Sequence, residues 1–314
     1  MTPSNPHPDT ATTPGPATTP GPVTGLDTAA QLMDRISGEL GSRLGLVGRG
    51  GFPGARPGDP ALVVVAHGSR DPRALTTVTA LLDAVRALRP GLDARLGHIE
   101  LNEPALGDTL RGLPAEGAGP GAVLVPLLLS RGYHVKHDIP AAAAAAAAAA
   151  RPGRPLRVAA PLGPHPLLDE ALHARLLEAG WPAGTPAAGH GVVLAAAGSR
   201  DPDSATDTRR AADRLARRLG VPVLPAYATP TEHTPTTVPA ALRALAERGV
   251  RHAAVASYFT APGRFATQAA DAAPWLAAAP LGAHPALAAL LLHRYDQARS
   301  TAPRAAPHRL LTSA

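Results

Sequence analysis

The most constraining feature of this sequence is an internal duplication, in which two short motifs recur in the same order. Gly68-Ser-Arg-Asp-Pro72 is repeated as Gly198-Ser-Arg-Asp-Pro202, which lies 198 − 68 = 130 residues later. Pro161-Leu-Gly-Pro-His-Pro166 is likewise matched by Pro280-Leu-Gly-Ala-His-Pro285. Ordered repeats of this kind mark a repeated structural unit. We therefore expect two copies of one domain in this chain.

The domain boundaries follow from the repeat and from local composition. Residues 1–58 are rich in Pro, Ala and Thr, and such a segment buries too little apolar area to offset its ordering entropy. We predict a disordered tail there, and a second one at residues 299–314. The first domain is assigned to residues 59–179, a linker rich in Pro, Gly and Ala to 180–190, and the second domain to 191–298.

Each copy alternates short apolar runs with helical patterns. Ala61-Leu-Val-Val-Val-Ala66 is a continuous apolar run typical of a buried parallel strand. Asp71 and Pro72 then suit the cap and the first turn of a helix. Further strands are predicted at Arg95–Leu101, Ala122–Leu129 and Leu156–Leu162. The alternation predicts an α/β fold, with two similar domains that each hold a parallel sheet flanked by helices.

The segment 126–140 carries the densest polar chemistry in the chain. It begins as an apolar strand and then presents His134, Lys136 and His137 in a predicted loop. A helix is expected to follow and to continue through the alanine run 141–150, because alanine has the highest helix propensity. In parallel α/β sheets, ligands bind at the carboxyl ends of the strands. The loop is therefore predicted to lie at a binding edge.

Side chains that can bind a metal ion are kept in only one of the two copies. At the offset of 130 residues, His67 is replaced by Ala197 and His134 by Arg264, and Glu100 has no carboxylate counterpart. Features shared by both copies serve the fold, whereas features of one copy can serve chemistry. The chain has no cysteine, and two imidazoles with one carboxylate suit Fe, Co, Ni or Zn. We predict that these three side chains form a metal site.

Other histidines are assigned differently. His165 and His284 occur in both copies, so we expect them to be structural, with a hydrogen bond to a neighbouring carbonyl. His98, His137 and His233 are left open as residues that assist the metal site.

Composition excludes several classes of function. The net charge is +6, but no basic run is interleaved with aromatic residues, so no nucleic-acid partner is expected. No apolar stretch approaches 18 residues without Pro, Gly or a charge, which argues against a membrane span. A signal peptide is not indicated at the N-terminus. We expect a cytoplasmic protein.

Four segments resemble the sirohydrochlorin chelatases of the CbiX/SirB type, the class II chelatases, in their long two-copy form. They are His67-Gly-Ser-Arg70, Ile99-Glu-Leu101 before Pro104, Gly132-Tyr-His-Val-Lys-His-Asp-Ile-Pro140 and the turn at 161–166. The resemblance covers residues 61 to 297. It implies two chelatase-like domains that face each other across a cleft. It also implies insertion of Fe(II) or Co(II) into sirohydrochlorin without ATP.

The resemblance assigns roles to residues by position. His67 and His134 would bind the metal and accept protons, and Glu100 would be the associated acid. Sirohydrochlorin carries eight carboxylates, for which cations at strand-end loops are suited. The expected substrate-binding residues are Arg70, Arg131, Lys136 and Arg264. No cofactor is expected beyond the substrate metal, and the choice between iron and cobalt is left open.

Three other functions make different demands on the sequence. A non-catalytic carrier of divalent metal would use the same two histidines and Glu100. A nucleotide-binding protein would place a phosphate at Gly68-Ser69, but no glycine-rich phosphate-binding pattern supports it. A methyltransferase would also need a glycine-rich cofactor loop. We expect a monomer, because the second copy reduces the need for a dimer.

Overall fold

The computed structural model describes residues 52, 54–113, 121–149, 155–184 and 188–301. The predicted disorder of the two tails falls mainly outside the described residues. At the start of the second predicted tail, the last helix continues to Ser300. The second domain was predicted to end at residue 298. Trp181 of the predicted linker is 3% exposed, and residues 185–187 of that linker lie outside the described part.

The first half is a four-stranded parallel sheet in the order β2-β1-β3-β4. Its strands are β1 (Ala61–Ala66), β2 (Ala94–His98), β3 (Ala122–Pro126) and β4 (Leu156–Val158). Its helices are α1 (Pro72–Leu88), α2 (Leu106–Arg111), α3 (Ile139–Ala149) and α4 (Pro166–Glu178). A π-helical turn, His134–Asp138, leads directly into α3.

The second half repeats this arrangement, with a parallel sheet in the order β6-β5-β7-β8. Its strands are β5 (His190–Ala196), β6 (Val223–Tyr227), β7 (His252–Ser257) and β8 (Leu276–Ala277). Its helices are α5 (Pro202–Leu219), α6 (Val238–Glu247), α7 (Arg264–Asp271) and α8 (Pro285–Ser300). The predicted α/β class with two similar parallel sheets is confirmed.

The two halves share one apolar core. Leu62 and Val64 of β1 lie in the same cluster of buried residues as Val192 and Leu194 of β5. The alternate side chains of β1 pack on the other face of the sheet, in a separate cluster. Parallel strands covered on both faces need such continuous apolar runs. One face of each sheet therefore packs in a joint core, and the other face of each sheet has an apolar cluster of its own.

The predicted strands are too long at their C-terminal ends. They end in the structure at His98, Pro126 and Val158. The apolar pattern continues further because loop residues such as Leu127 and Leu162, which are 2% and 0% exposed, also pack into the core. Hydrophobic periodicity reports burial, and a buried loop gives the same signal as a buried strand.

The predicted polar loop at His134, Lys136 and His137 is wrong, because these residues are already helical. The amide of Ile139 donates a hydrogen bond to the carbonyl of His134, five residues earlier. Helix formation adds one hydrogen bond for each further residue once a nucleus exists. The alanine-rich α3 thus extends backwards over the histidines, with a wider first turn.

Within the described residues, no helix has both the length and the apolar character required to cross a bilayer.

Candidate functional site

The carboxyl ends of both sheets border one cleft with a volume of about 730 Å³. Its lining includes His67 after β1, Tyr133 after β3, Ser199 after β5 and Thr260 after β7. The predicted arrangement of two halves across a cleft is confirmed. Parallel strands that end at one edge bring residues distant in sequence to the same place.

His67 and His134 meet in this cleft, as the sequence predicts. Their Nε2 atoms are 3.1 Å apart, and the two rings are almost perpendicular, at 86°. The side chains are 39% and 37% exposed, so a ligand in the cleft can reach both nitrogens. Two converging imidazole nitrogens can bind a transition-metal ion or accept protons.

The outer nitrogen of each ring faces a carboxylate. Nδ1 of His67 lies 3.5 Å from Oε1 of Glu100, and Nδ1 of His134 lies 2.6 Å from Oδ2 of Asp138. The short contact with Asp138 holds the proton on Nδ1 of His134 and leaves Nε2 of that ring as a lone-pair donor, whereas the contact of Glu100 with His67 is longer than an ordinary hydrogen bond. The four groups form a chain, Glu100–His67–His134–Asp138, with both Nε2 atoms at its centre.

Close backbone packing places Glu100 beside His67. The amide of Glu100 donates to the carbonyl of His67 at 3.0 Å, and Leu101 adopts a left-handed conformation with φ of 66°. Gly68 has φ of 105°, and a Cβ atom on it would lie 1.8 Å from the carbonyl oxygen of Glu100. Only glycine fits at this approach.

The predicted role of Glu100 as a third metal ligand stays a prediction. Its observed contact is with Nδ1 of His67, on the side of the ring away from Nε2. Among the described residues, no group of three or more acidic or histidine side chains is arranged to hold a metal ion. Such an ion would have two protein nitrogens and positions left for other donors.

Two of the four predicted substrate-binding cations, Arg131 and Lys136, do not line the cleft and form ion pairs between the two halves. Arg131 donates from Nε and from a terminal nitrogen to Asp207, at 2.9 and 2.7 Å. Lys136 lies 2.6 Å from Asp201 and 2.9 Å from Asp203. The hydrogen bond with Asp207 raises the pKa of Arg131, and the bond from Lys136 lowers the pKa of Asp201.

Arg70 and Arg264 line the same cleft but are not paired in this way. Among the described residues, neither has a carboxylate partner. The guanidinium of Arg264 lies over the ring of its neighbour Phe265, 5.8 Å from the centroid. These two arginines are therefore available to an anionic ligand.

An apolar wall in the cleft was not predicted from the sequence. Four large apolar side chains that are 37–63% exposed line the cleft, namely Leu75, Leu101, Tyr133 and Phe265. Exposed apolar patches of this kind mark ligand-binding grooves. Since the four residues come from separate loops and helices, no local sequence pattern joins them.

The three histidines whose roles were left open do not belong to the His67–His134 pair. His98 is 2% exposed, its Nδ1 lies 3.3 Å from the carbonyl of Pro104, and burial lowers its pKa. His137 packs against Tyr133 with 4.6 Å between ring centroids. His233 is exposed. A role for each in assisting the metal site stays a prediction.

His165 and His284 cap helices, which corrects the predicted bond to a carbonyl. Nδ1 of His165 accepts from the amide of Leu167 at 3.2 Å, and Nδ1 of His284 accepts from that of Ala286 at 3.1 Å. The first amides of a helix lack partners within the helix, and these rings supply them. Their presence in both copies thus has a structural cause.

The offset between the two copies is already 131 along β3 and β7, since Val65 pairs with Pro126 and Ala195 pairs with Ser257. Leu127 and Tyr258 make the same backbone hydrogen bond to the neighbouring strand, and 258 − 127 = 131. Phe265, and not the predicted Arg264, therefore matches His134.

Sequence reasoning also missed Asp138 as the partner of His134. Two signals for this pairing were available in the sequence. Asp138 follows His134 by four residues, which suits a contact on one side of a helix, and the second copy has no carboxylate at the matching position. The matching position there is Gln268 or Ala269, depending on the register, and neither is a carboxylate.

Comparison with known proteins agrees with the fold. A family model described as CbiX matches residues 61–179 and 191–298. The sirohydrochlorin ferrochelatase of Bacillus subtilis is 31% identical over 170 residues, which are 54% of this chain and 63% of that protein. A sirohydrochlorin cobaltochelatase of Methanosarcina barkeri is 29% identical over 124 residues, which are 38% of this chain and 95% of that protein.

The solved structure of SirB from Bacillus subtilis with Fe3+ superposes with a TM-score of 0.60 at 23% identity. The superposition covers 77% of this chain and 96% of that one. The match to the Bacillus ferrochelatase thus spans less than two-thirds of that relative, whereas the structural likeness spans nearly all of SirB.

Proposed function

The chain belongs to the CbiX family, and from that premise we propose that it inserts a divalent metal ion, Fe2+ or Co2+, into sirohydrochlorin without ATP. The observation that carries this proposal is the pair of Nε2 atoms of His67 and His134, 3.1 Å apart and open to the cleft. The relatives named as sirohydrochlorin ferrochelatase and cobaltochelatase support it.

The reaction exchanges protons for the metal. A free-base tetrapyrrole releases two pyrrole N–H protons as one divalent ion enters the ring. Neutral imidazoles can both hold the ion and accept protons near neutral pH. With their outer nitrogens turned to Glu100 and Asp138, His67 and His134 present both Nε2 atoms to the ring. Holding the ion beside the macrocycle supplies proximity.

The walls of the cleft suit the two chemical faces of this substrate. The flat macrocycle packs against Leu101, Tyr133 and Phe265, which are exposed apolar residues. Arg70 and Arg264 bind peripheral carboxylates, for which guanidinium offers two parallel hydrogen bonds. The same role for Arg131 and Lys136 stays a prediction, because substrate would have to replace their present aspartate partners.

The second half supplies one wall of the cleft, so a single chain contains a two-sided site. On this basis we propose that the monomer is active. The expected cytoplasmic location stays a prediction.

The test is a metal-insertion assay that follows sirohydrochlorin absorbance with Fe2+, Co2+ and Ni2+, and with much less protein than substrate. We expect many turnovers for the wild type and none for His67→Ala or His134→Ala. Quenching of sirohydrochlorin fluorescence should show that both variants still bind the tetrapyrrole. A protein that stops after one equivalent of metal would be a carrier, and near-normal turnover by His134→Ala would remove the role given to that residue.

A further inference from the structure

Asp138 makes the shortest contact to either histidine, with 2.6 Å between its Oδ2 and Nδ1 of His134. We propose that Asp138 is the positioning residue of the metal-binding imidazole. It keeps the proton of His134 on Nδ1 and so directs the Nε2 lone pair to the centre of the cleft. The inference rests on the proposed function and deepens it, because it identifies what prepares that nitrogen for a divalent cation.

The geometry restricts the tautomer of His134. A carboxylate has no proton to donate when ionised, so the short contact requires a proton on Nδ1 of the ring. A neutral imidazole with its proton on Nδ1 has a lone pair on Nε2. That lone pair points at Nε2 of His67, 3.1 Å away. A cation taken up between the rings would meet this lone pair without a change of tautomer.

The local backbone holds the carboxylate in place. The π-helical turn spans His134 to Asp138 and is closed by the hydrogen bond from Ile139 to His134. Ile139 is 0% exposed and packs against the sheet, which anchors the residue next to Asp138. Single π-helical turns within helices are frequent at functional sites. The spacing of four residues places positions 134 and 138 on the same side of the helix.

The second half provides an internal control for a purely structural role. Helix α7 occupies the place of the π-turn and α3, yet it has Phe265 where the first half has His134. It also has Gln268 or Ala269 where the first half has Asp138. The same helix therefore forms without the carboxylate, and imidazole and carboxylate are absent together. Asp138 is 38% exposed and pairs with His134, so its contact serves that ring.

The experiment measures Co2+ binding to the full chain without tetrapyrrole, and then insertion kinetics, for Asp138→Asn, Asp138→Ala and the matched control Gln268→Ala. Loss of a carboxylate behind a ligating histidine typically costs about 10–100-fold in metal affinity. We expect a loss of this size for Asp138→Ala. A smaller loss is expected for Asp138→Asn, whose amide oxygen can still accept from Nδ1. The KM for sirohydrochlorin and the urea midpoint should stay at wild-type values, as should all properties of Gln268→Ala.

Wild-type Co2+ affinity in Asp138→Ala would overturn the inference. So would losses that track the urea midpoint or the KM for sirohydrochlorin, because those would indicate a structural role. The experiment distinguishes failure of this inference from failure of the proposed function. If the wild type binds Co2+ through His134 and loses it in Asp138→Ala but inserts no metal, the inference stands and the proposed function fails. If the wild type inserts metal and Asp138→Ala does so equally well, only the inference fails.

Discussion

Arg131 of the first half is joined to the buried carboxylate of Asp207 in the second half, 76 residues later in the chain. Asp207 is 1% exposed and also accepts a hydrogen bond from the backbone amide of Arg131. Ser130 and Ser204 add a hydrogen bond of 2.8 Å beside it. Hydrogen bonds and an ion pair thus connect the two halves at one edge of the cleft. Among the described residues, Arg70 and Arg264 have no carboxylate partner.

We expect Arg131→Ala to destabilise the protein, because Asp207 would remain buried without its main partner. A buried charged acceptor that loses its partner costs about 1–3 kcal/mol or more. Urea unfolding at neutral pH measures this change. The control is Arg73→Ala, since Arg73 pairs with Asp71 at the surface and exposed pairs contribute little. Equal midpoints for the two variants would contradict the prediction.

Arg264, which lines the cleft, and Lys136, which does not, should differ in substrate binding. Arg264→Ala is expected to raise the KM for sirohydrochlorin roughly tenfold, because a bidentate carboxylate contact is lost. Lys136→Met should change this KM much less, since its ammonium group is already bound to Asp201 and Asp203. Steady-state insertion kinetics at saturating Co2+ compare the variants. The opposite order would favour the sequence-based prediction that Lys136 contacts the substrate.

Gly68→Ala should lower both stability and metal insertion. The added methyl group would overlap the carbonyl oxygen of Glu100 at 1.8 Å, and φ of 105° is unfavourable for alanine. Relief of this overlap must move Glu100 away from His67. Gly107→Ala is the control, because its Cβ would meet nothing closer than 3.5 Å. Thermal unfolding and insertion rates should separate the two, and unchanged insertion in Gly68→Ala would disprove this coupling.

Acid should destabilise the protein through its capping histidines. Burial, with a smaller contribution from Arg175, lowers the pKa of His284 from its usual 6.5 to about 4. The unfolded chain then binds the proton more readily, so stability from this group is complete above pH 6.5 and is lost as the pH falls towards 4. The free energy of unfolding that depends on this group is about 3 kcal/mol in total, because each unit of pKa shift corresponds to about 1.36 kcal/mol.

The check on this linkage is urea unfolding at pH 7 and pH 5 for the wild type and His284→Asn. Asparagine also caps helix N-termini but does not titrate in this range. We expect the difference in unfolding free energy between the two pH values to be smaller in the variant. An identical difference would show that His284 does not contribute to the acid sensitivity.

The sequence by itself determined the duplicated parallel α/β fold and the meeting of His67 and His134. Both follow from local patterns, because apolar runs of strand length specify buried strands and parallel strands end at a common edge. The same patterns overextended the strands, since apolarity does not distinguish a buried loop from a strand. They also missed the helical turn at His134, because the helix of the alanine run extends backwards over polar residues.

Tertiary structure alone decided which polar groups pair between the two halves. Only the folded chain shows that Arg131 and Lys136 are bound to aspartates of the other half, while Arg70 and Arg264 lack such partners among the described residues. Asp138 contacts His134 because the two residues lie four positions apart in a helical segment and not in a loop. Such pairings depend on distances between side chains to within about an ångström, and residue order along the chain carries no direct measure of those distances.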